Sequence, residues 1–383
     1  MSIPTPRAAL PLLVSVAAVV LSTGFTATLL PLAVGDTGAA AGIASSHFAG
    51  FLVGAPVAGW VIRAVGAARA ALLFALVIAL TTAGLAAGDG MAVWMTLRFV
   101  AGIAVSGYFV LVESRLNDLA DAASRGRLMA AYLMAFYAAQ AVGSSMAGLA
   151  GPDGTAWLLA TLPLPLLGAL PLLAASAPPE ATGRRTPWAH LLARTPAAYA
   201  SSVSSGLLLG AIYGLGPLYA ATVGGGSTAS GPFMAAAMLG GVAALGPVGR
   251  GADHGHRERW LAAGLTAAAG ATLVLALLLP MDNLPMLVLA GAMLGASAFT
   301  LYPLASGCVN DAVAADERLA ANGLFLLLNA LGACIGPMLA GWAMAQLGAG
   351  RFLLPAAMAC VVAAAAVLGT RSWPELRPPP QSA

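Results

Sequence analysis

Apolar runs recur from one end of this 383-residue chain to the other, and their length restricts its fold more than any other feature. A helix needs about 20 apolar residues to cross roughly 30 Å of hydrocarbon. Runs of that kind lie near 10–34, 42–62, 70–88, 91–114, 127–149, 155–175, 197–221, 232–249, 260–279, 285–308, 319–346 and 351–370. Only 8% of the residues are charged, whereas an ordinary soluble domain carries about 25%. So few charges cannot cover a water-facing surface of this size, so the bilayer must be the solvent. The expected fold is an all-α membrane protein with twelve transmembrane helices, because helices satisfy their own backbone polar groups in hydrocarbon.

The amino terminus, "MSIPTPRAALPLLVSVAAVVLSTGF", has the arginine, apolar core and small residues of a signal peptide. The run continues through "TATLLPLAV", however, and that length favours an uncleaved first helix. The longest polar interruption is "SAPPEATGRRTPWAHLLARTP", which holds Pro178, Pro179 and Pro187 with Arg184, Arg185 and Arg194. It divides the chain into an amino-terminal six-helix bundle (1–175), a cytoplasmic linker (176–196) and a carboxy-terminal six-helix bundle with a short tail (197–383). There is no lysine, so arginine alone sets the topology. Between alternate spans fall Arg63, Arg69, Arg115, Arg125, Arg184, Arg185, Arg194, Arg250, Arg257, Arg259 and Arg318, while the opposite loops carry Arg351 and the lone acids Asp36, Asp89, Asp153 and Asp282. By the positive-inside rule both termini are expected in the cytoplasm of a multi-pass protein of the bacterial inner membrane.

The halves also match each other. At an offset of 193 residues Gly102 meets Gly295, Asn117 meets Asn310, Asp118 meets Asp311 and Arg125 meets Arg318. In the same register Gly143 meets Gly336 and Gly148 meets Gly341. Two parallel copies of six helices are the arrangement that encloses a central cavity and rocks to expose it on alternate sides.

These residues resemble the major facilitator superfamily along essentially the whole chain. "GAPVAGWVIRAVGAAR" (54–69) is similar to its signature between the second and third spans, although Arg63 stands where the family usually has an acid. "GPVGRGADHGHRERW" (246–260) is a closer second copy, with Gly249, Arg250, Asp253 and Arg257. "LRFVAGIAVSG" resembles the fourth-span motif, with Arg98 as its arginine. "VESRLND" and "PLYAATVGG" look most like a drug-transporter-like, YcaD-like bacterial subgroup. The Gly-Pro that drug/proton antiporters carry in the fifth span is absent there, since Ser144 follows Gly143; the pair occurs instead at Gly336-Pro337. The resemblance implies alternating-access transport of a small organic solute, coupled to protons, with Arg63, Arg69, Asp118, Arg125, Arg250, Asp253 and Arg257 at the cytoplasmic gate. Export of amphipathic compounds is the preferred direction. Import of a metabolite and a non-transporting receptor or scaffold are the alternatives.

Two charges inside the fourth span need a reason. Arg98 lies about 10 Å below the outer end of its helix at 1.5 Å per residue. It is either a cavity group for coupling or substrate, or an arginine that snorkels outward or bonds to helix carbonyls. Glu113, about 22 Å further along, is a gate latch reaching Arg63 or Arg69, a proton carrier, or a helix-end acid in water. The second half has Gly291 and Ser306 at these register positions, which assigns coupling to the first bundle.

Tyr108, Tyr132, Tyr137, Gln140, Tyr213, Tyr302, Asn322 and Asn329 are the polar candidates for the cavity wall, with helix–helix contact as the competing role. His47 is the intramembrane histidine and is read as packing near the outer interface. Cys308, Cys334 and Cys360 form no disulfide or metal pattern. "DHGHRER" (253–259) lacks the further ligands a zinc site needs. No catalytic constellation is present, so no cofactor, metal, nucleic acid or enzymatic activity is expected. The partners expected are a small-molecule solute, protons and the lipid bilayer, and the working unit is a monomer.

Overall fold

A computed structural model describes residues 6–88, 90–119, 125–174, 186–277, 283–314 and 316–369. It contains twelve helical spans long and apolar enough to cross a membrane, six on each side of the linker. The helices run in the order α1 (Pro6–Val34), α2 (Thr37–Val65), α3 (Ala67–Ala87), α4 (Met91–Leu119) and α5 (Arg125–Ala150), then α6 (Trp157–Thr161) and α7 (Pro163–Ala169). The linker helix α8 (Trp188–Arg194) leads to α9 (Pro196–Val223), α10 (Ser230–Asp253), α11 (Arg257–Leu277), α12 (Leu284–Asp311), α13 (Arg318–Leu347) and α14 (Leu354–Gly369).

Several helices start or end beyond their apolar runs because polar residues cap them. Asp36 accepts a hydrogen bond from the Ala39 amide at 2.8 Å and so begins α2 five residues before the apolar run at 42. Asn283 does the same for α12 through the Met286 amide at 3.2 Å. The sixth span is broken into α6 and α7, since Pro163 supplies no amide hydrogen to continue the first piece.

Side chains facing outward are apolar, among them Leu149 at 78% exposure and Leu277 at 73%. In lipid such exposure carries no hydrophobic penalty, and helix association rests on close packing and interhelical hydrogen bonds. A Cβ on Gly50 would overlap the Phe99 carbonyl and one on Gly102 the His47 carbonyl, so α2 and α4 touch backbone to backbone. Between α10 and α12, Gly240 and Gly295 meet the Ala292 and Ala237 carbonyls in the same manner.

The repeat is visible in which helices pair. α1 packs on α5 as α9 packs on α13, and α2 on α4 as α10 on α12. The halves meet along α2–α13 and α5–α10, two contacts that exchange when the bundles are interchanged. Two pairs of glycines matched in sequence do equivalent work. Gly143 lies on the Leu21 carbonyl of α1, and Gly336 on the Leu207 carbonyl of α9. Gly148 faces Gly231 of the opposite bundle, and Gly341 faces Thr37 and Ala41 of the other.

The last two contacts join the bundles at the end opposite the arginines. The linker is tied down at the arginine-rich end, where Arg194 Nη1 reaches Glu317 Oε2 at 2.6 Å and Thr186 donates to Oε1 at 3.4 Å. Residues 175–185, with Arg184 and Arg185, lie outside the described residues, as do the ends of the chain.

Candidate functional site

Between the bundles lies a cavity of about 820 Å³. It begins at Leu30, Ile43 and His47, beneath the closed end, and reaches Gly249, Asp253 and Arg257 at the arginine-rich end. Helical register decides who lines it. On α4 the wall residues are Arg98, Val105, Phe109 and Glu113, spaced by seven, four and four on one face. On α5 they are Tyr132, Leu133, Phe136, Tyr137 and Gln140, and α12 contributes Phe299, Tyr302, Ser306 and Asn310. α9 adds Tyr213, and α13 adds Asn329.

Aromatic rings form the middle of the wall and cross between the halves. Phe109 meets Phe136 with centroids 5.6 Å apart, and Phe136 meets Tyr137 at 5.3 Å. Tyr137 then stands edge-on to Phe299 of the second bundle at 5.0 Å and 83°, and Phe299 to Tyr213 at 6.0 Å and 90°. Such T-shaped pairs set the electropositive edge of one ring on the face of the next.

Glu113 opens to the cavity and accepts a hydrogen bond from the Tyr132 hydroxyl at 2.9 Å. Among the described residues no arginine comes within ion-pair distance of it, so the pairing with Arg63 or Arg69 is not made in this conformation. Both arginines are exposed. Arg98 occupies the far end of the same face and is 5% exposed. Its Nε is buried with no hydrogen-bond partner, which leaves neither the snorkelling role nor a bond from Nε to a helix carbonyl. His47 joins the cavity beside it rather than packing at the outer interface, and its Nδ1 is also buried and unpartnered.

Two other candidates sit off the wall. Tyr108 directly precedes the wall residue Phe109 on α4, and a single residue turns a helix by about 100°. Its ring is therefore fully buried toward α1, where its hydroxyl meets Ser15 Oγ at 2.7 Å. Asn322 joins α13 to α12 by donating to Asn310 Oδ1 at 2.9 Å, while Asn310 faces the cavity. Asn329 is on the wall and also donates to the Ser202 carbonyl at 3.0 Å.

The arginine-rich end carries the second-half signature. Arg257 reaches Asp253 Oδ1 and Asp311 Oδ2, each at 2.8 Å, joining α10, α11 and α12. The first half has instead an Arg115–Asp118 pair at 3.3 Å within α4 alone, and Arg63 stands where the family usually has an acid. Arg250 lies in the last turn of α10. The side chain of Arg125 is outside what the structure describes.

The phenylalanines on the wall, Phe48, Phe51, Phe109, Phe136 and Phe299, are not among the polar candidates. Phe109 lies four residues from Glu113 on α4 and Phe136 four from Tyr132 on α5, a register visible in the sequence; Phe48, Phe51 and Phe299 reach the wall through the packing of α2 and α12.

Twelve spans, two repeated bundles and one cavity between them define a secondary transporter fold. The model of the Major Facilitator Superfamily matches residues 12–281. The uncharacterized MFS-type transporter YcaD of Salmonella arizonae is 32% identical over 305 residues, covering 77% of each chain. The corresponding protein of Escherichia fergusonii is 32% identical over 303 residues, again 77% of each. Among solved structures, the nucleoside transporter NupG superposes with a TM-score of 0.75 at 16% identity, covering 94% of this chain and 98% of that one. A D-xylose-proton symporter gives 0.74 at 14% identity over 96% and 98%. The chain belongs to the major facilitator superfamily, a family of transporters rather than enzymes, and is YcaD-like in sequence.

Proposed function

We propose that this protein is a proton-coupled exporter of amphipathic solutes in the bacterial inner membrane, working as a monomer by alternating access. In this reading the arginine-rich end and both termini face the cytoplasm, and the structure is the inward-facing state. One observation carries it: a cavity of about 820 Å³ walled by aromatic rings, open toward the arginine-rich end, with Glu113 as the carboxyl in its interior. A volume in the range of drug-sized ligand pockets, mostly apolar with a few convergent polar groups, suits an amphipathic solute.

Solute enters from the arginine-rich end and lies against Phe136, Tyr137 and Phe299. Tilting of the bundles closes that end, and the glycine contacts at Gly148–Gly231 and Gly341–Thr37 part at the other. Glu113 takes up a proton from outside and releases it to the cytoplasm, with Tyr132 holding the carboxylate in place between cycles. The Arg257–Asp253–Asp311 cluster, with Arg63, Arg69, Asp118, Arg125 and Arg250 around it, forms the gate. The domain division at residues 176–196 belongs to this proposal, since the linker must let two bundles move.

Import of a metabolite uses the same cavity in the opposite direction, and one structural neighbour is a D-xylose-proton symporter. A growth-inhibition panel in a bacterial host lacking its main efflux systems separates the two. Empty vector, wild type and Glu113→Gln are compared at matched membrane expression. Resistance to amphipathic compounds that disappears in Glu113→Gln is the expected result. Protection against nothing by the wild type removes export and leaves uptake; solute flux absent in both directions leaves the scaffold role.

A further inference from the structure

The deep end of the cavity holds a charge that the protein does not neutralise. Arg98 is 5% exposed, its Nε has no hydrogen-bond partner, and among the described residues no acid lies within ion-pair distance of it. Glu113, on the same helix face, is about 22 Å away along the axis and bonded to Tyr132. A buried guanidinium whose Nε–H has no partner and which has no acid beside it is costly, and a second orphaned donor or acceptor, His47 Nδ1, is buried on the neighbouring helix. The two are held in register by the backbone contact of α2 and α4, where Gly102, one turn beyond Arg98, faces the His47 carbonyl. The surrounding wall is apolar, with Leu30, Ile43 and Phe48.

We propose that Arg98 and His47 form the binding site for the carboxylate of an amphipathic monoanionic solute. This deepens the transport reading of the cavity and rests on it. The guanidinium has one formal charge to neutralise, which matches a monoanion; a dianion would bring an unpaired charge into the apolar end. Nε–H of Arg98 donates to one carboxylate oxygen, and Nδ1–H of His47, in the tautomer that places the proton there, donates to the other. Charge-assisted hydrogen bonds of this kind are roughly twice as strong as neutral ones. The apolar body of the solute then extends along Phe48 toward the aromatic middle of the cavity.

The test uses the full chain in lipid nanodiscs and three probes of similar size on the same ring system: 2-naphthoate, its neutral carboxamide, and 2-naphthylmethylammonium. Affinities are measured by titration calorimetry for wild type, Arg98→Gln, Arg98→Lys and His47→Gln. 2-Naphthoate should bind the wild type at least tenfold more tightly than the carboxamide. Arg98→Gln should erase that preference, Arg98→Lys should keep part of it, and His47→Gln should reduce it by a smaller factor. Because Arg98→Gln removes a buried charge, its melting temperature should equal or exceed the wild type's, which separates lost recognition from lost folding. Equal affinity for anion and amide, preference for the cation, a preference surviving in Arg98→Gln, or binding of none of the three overturns the site. The growth panel judges export independently: a chain that binds 2-naphthoate and protects against nothing keeps the site and loses the exporter reading.

Discussion

The Tyr132 hydroxyl on α5 donates to Glu113 Oε1 on α4 at 2.9 Å, within a cavity that otherwise presents mostly carbon. A hydrogen bond to a charged group contributes about 1.5–3 kcal/mol, and the lower figure applies where the carboxylate meets the cavity. Tyr132→Phe should therefore melt as a protein weakened by about 1.5 kcal/mol at most. Its resistance in the growth panel should drop several-fold yet stay above Glu113→Gln. Wild-type resistance in Tyr132→Phe would show that the bond does not hold Glu113 for its work.

The closed end depends on glycine. A Cβ on Gly341 would lie 2.9 Å from the Thr37 carbonyl, and one on Gly148 only 2.7 Å from the Gly231 amide. Gly341→Leu overpacks this contact at a cost of about 1–3 kcal/mol, enough to move a two-state equilibrium about 5–150-fold. Spin labels at Asp153→Cys and Arg351→Cys, exposed positions at this end of the two bundles, report the separation by electron–electron resonance in a background without the native cysteines. The long-distance population should grow in Gly341→Leu. An unchanged distribution would mean that this contact does not control opening.

The linker clasp gives a pH signature. Burial pushes the Glu317 carboxyl up, but hydrogen bonds from Arg194 and the Ala314 amide, the Arg194 charge and the Thr186 hydroxyl outweigh it and hold the carboxyl below the ordinary glutamate value. A carboxyl lowered in the folded state contributes stability that is present above its unfolded value, about 4.3, and lost as the pH falls through the lower folded value. Wild type should therefore melt above Glu317→Gln at neutral pH, with the gap closing only in the acid range. A gap that stays constant down to strongly acidic pH would rule out the ionised clasp.

Arg257 tests whether the signature cluster is a gate or a strut. Its partners Asp253 and Asp311 are 69% and 63% exposed, so each pair contributes about 0–1 kcal/mol. Arg257→Gln should leave the melting temperature nearly unchanged while transport falls several-fold in the growth panel. A large loss of thermal stability with residual transport in proportion would make the cluster structural instead.

Most of the architecture was legible before the structure. Run length and the side on which arginines fall gave twelve spans whose core positions match those observed, because hydrocarbon thickness and the cost of leaving backbone groups unpaired act on each helix separately. The register of 193 residues also paired Gly143 with Gly336 and Gly148 with Gly341, and the structure gives each pair equivalent close contacts, since close approach of two backbones needs the same residue in both copies. Helix ends were less visible: the apolar run of α2 begins at 42, but the cap at Asp36 starts the helix earlier.

The candidate site divides along the same line. That Arg98 and Glu113 lie in one span, on one face and far apart, is a property of the chain and of 3.6 residues per turn. Whether Tyr108 faces the cavity or Ser15, whether Asn322 faces a solute or Asn310, and whether Arg98 finds a partner depend on which helices pack beside α4 and α13. His47 shows the difference most clearly: its depth in the span looked interfacial, and only the packing of α2 on α4 puts it beside Arg98 at the closed end of the cavity. Sequence by itself determined the spans, their repeat and the two intramembrane charges, because the bilayer judges each segment alone. The tertiary structure decided what those charges face, because a neighbour across a cavity is set by how whole helices pack and leaves no period in the chain.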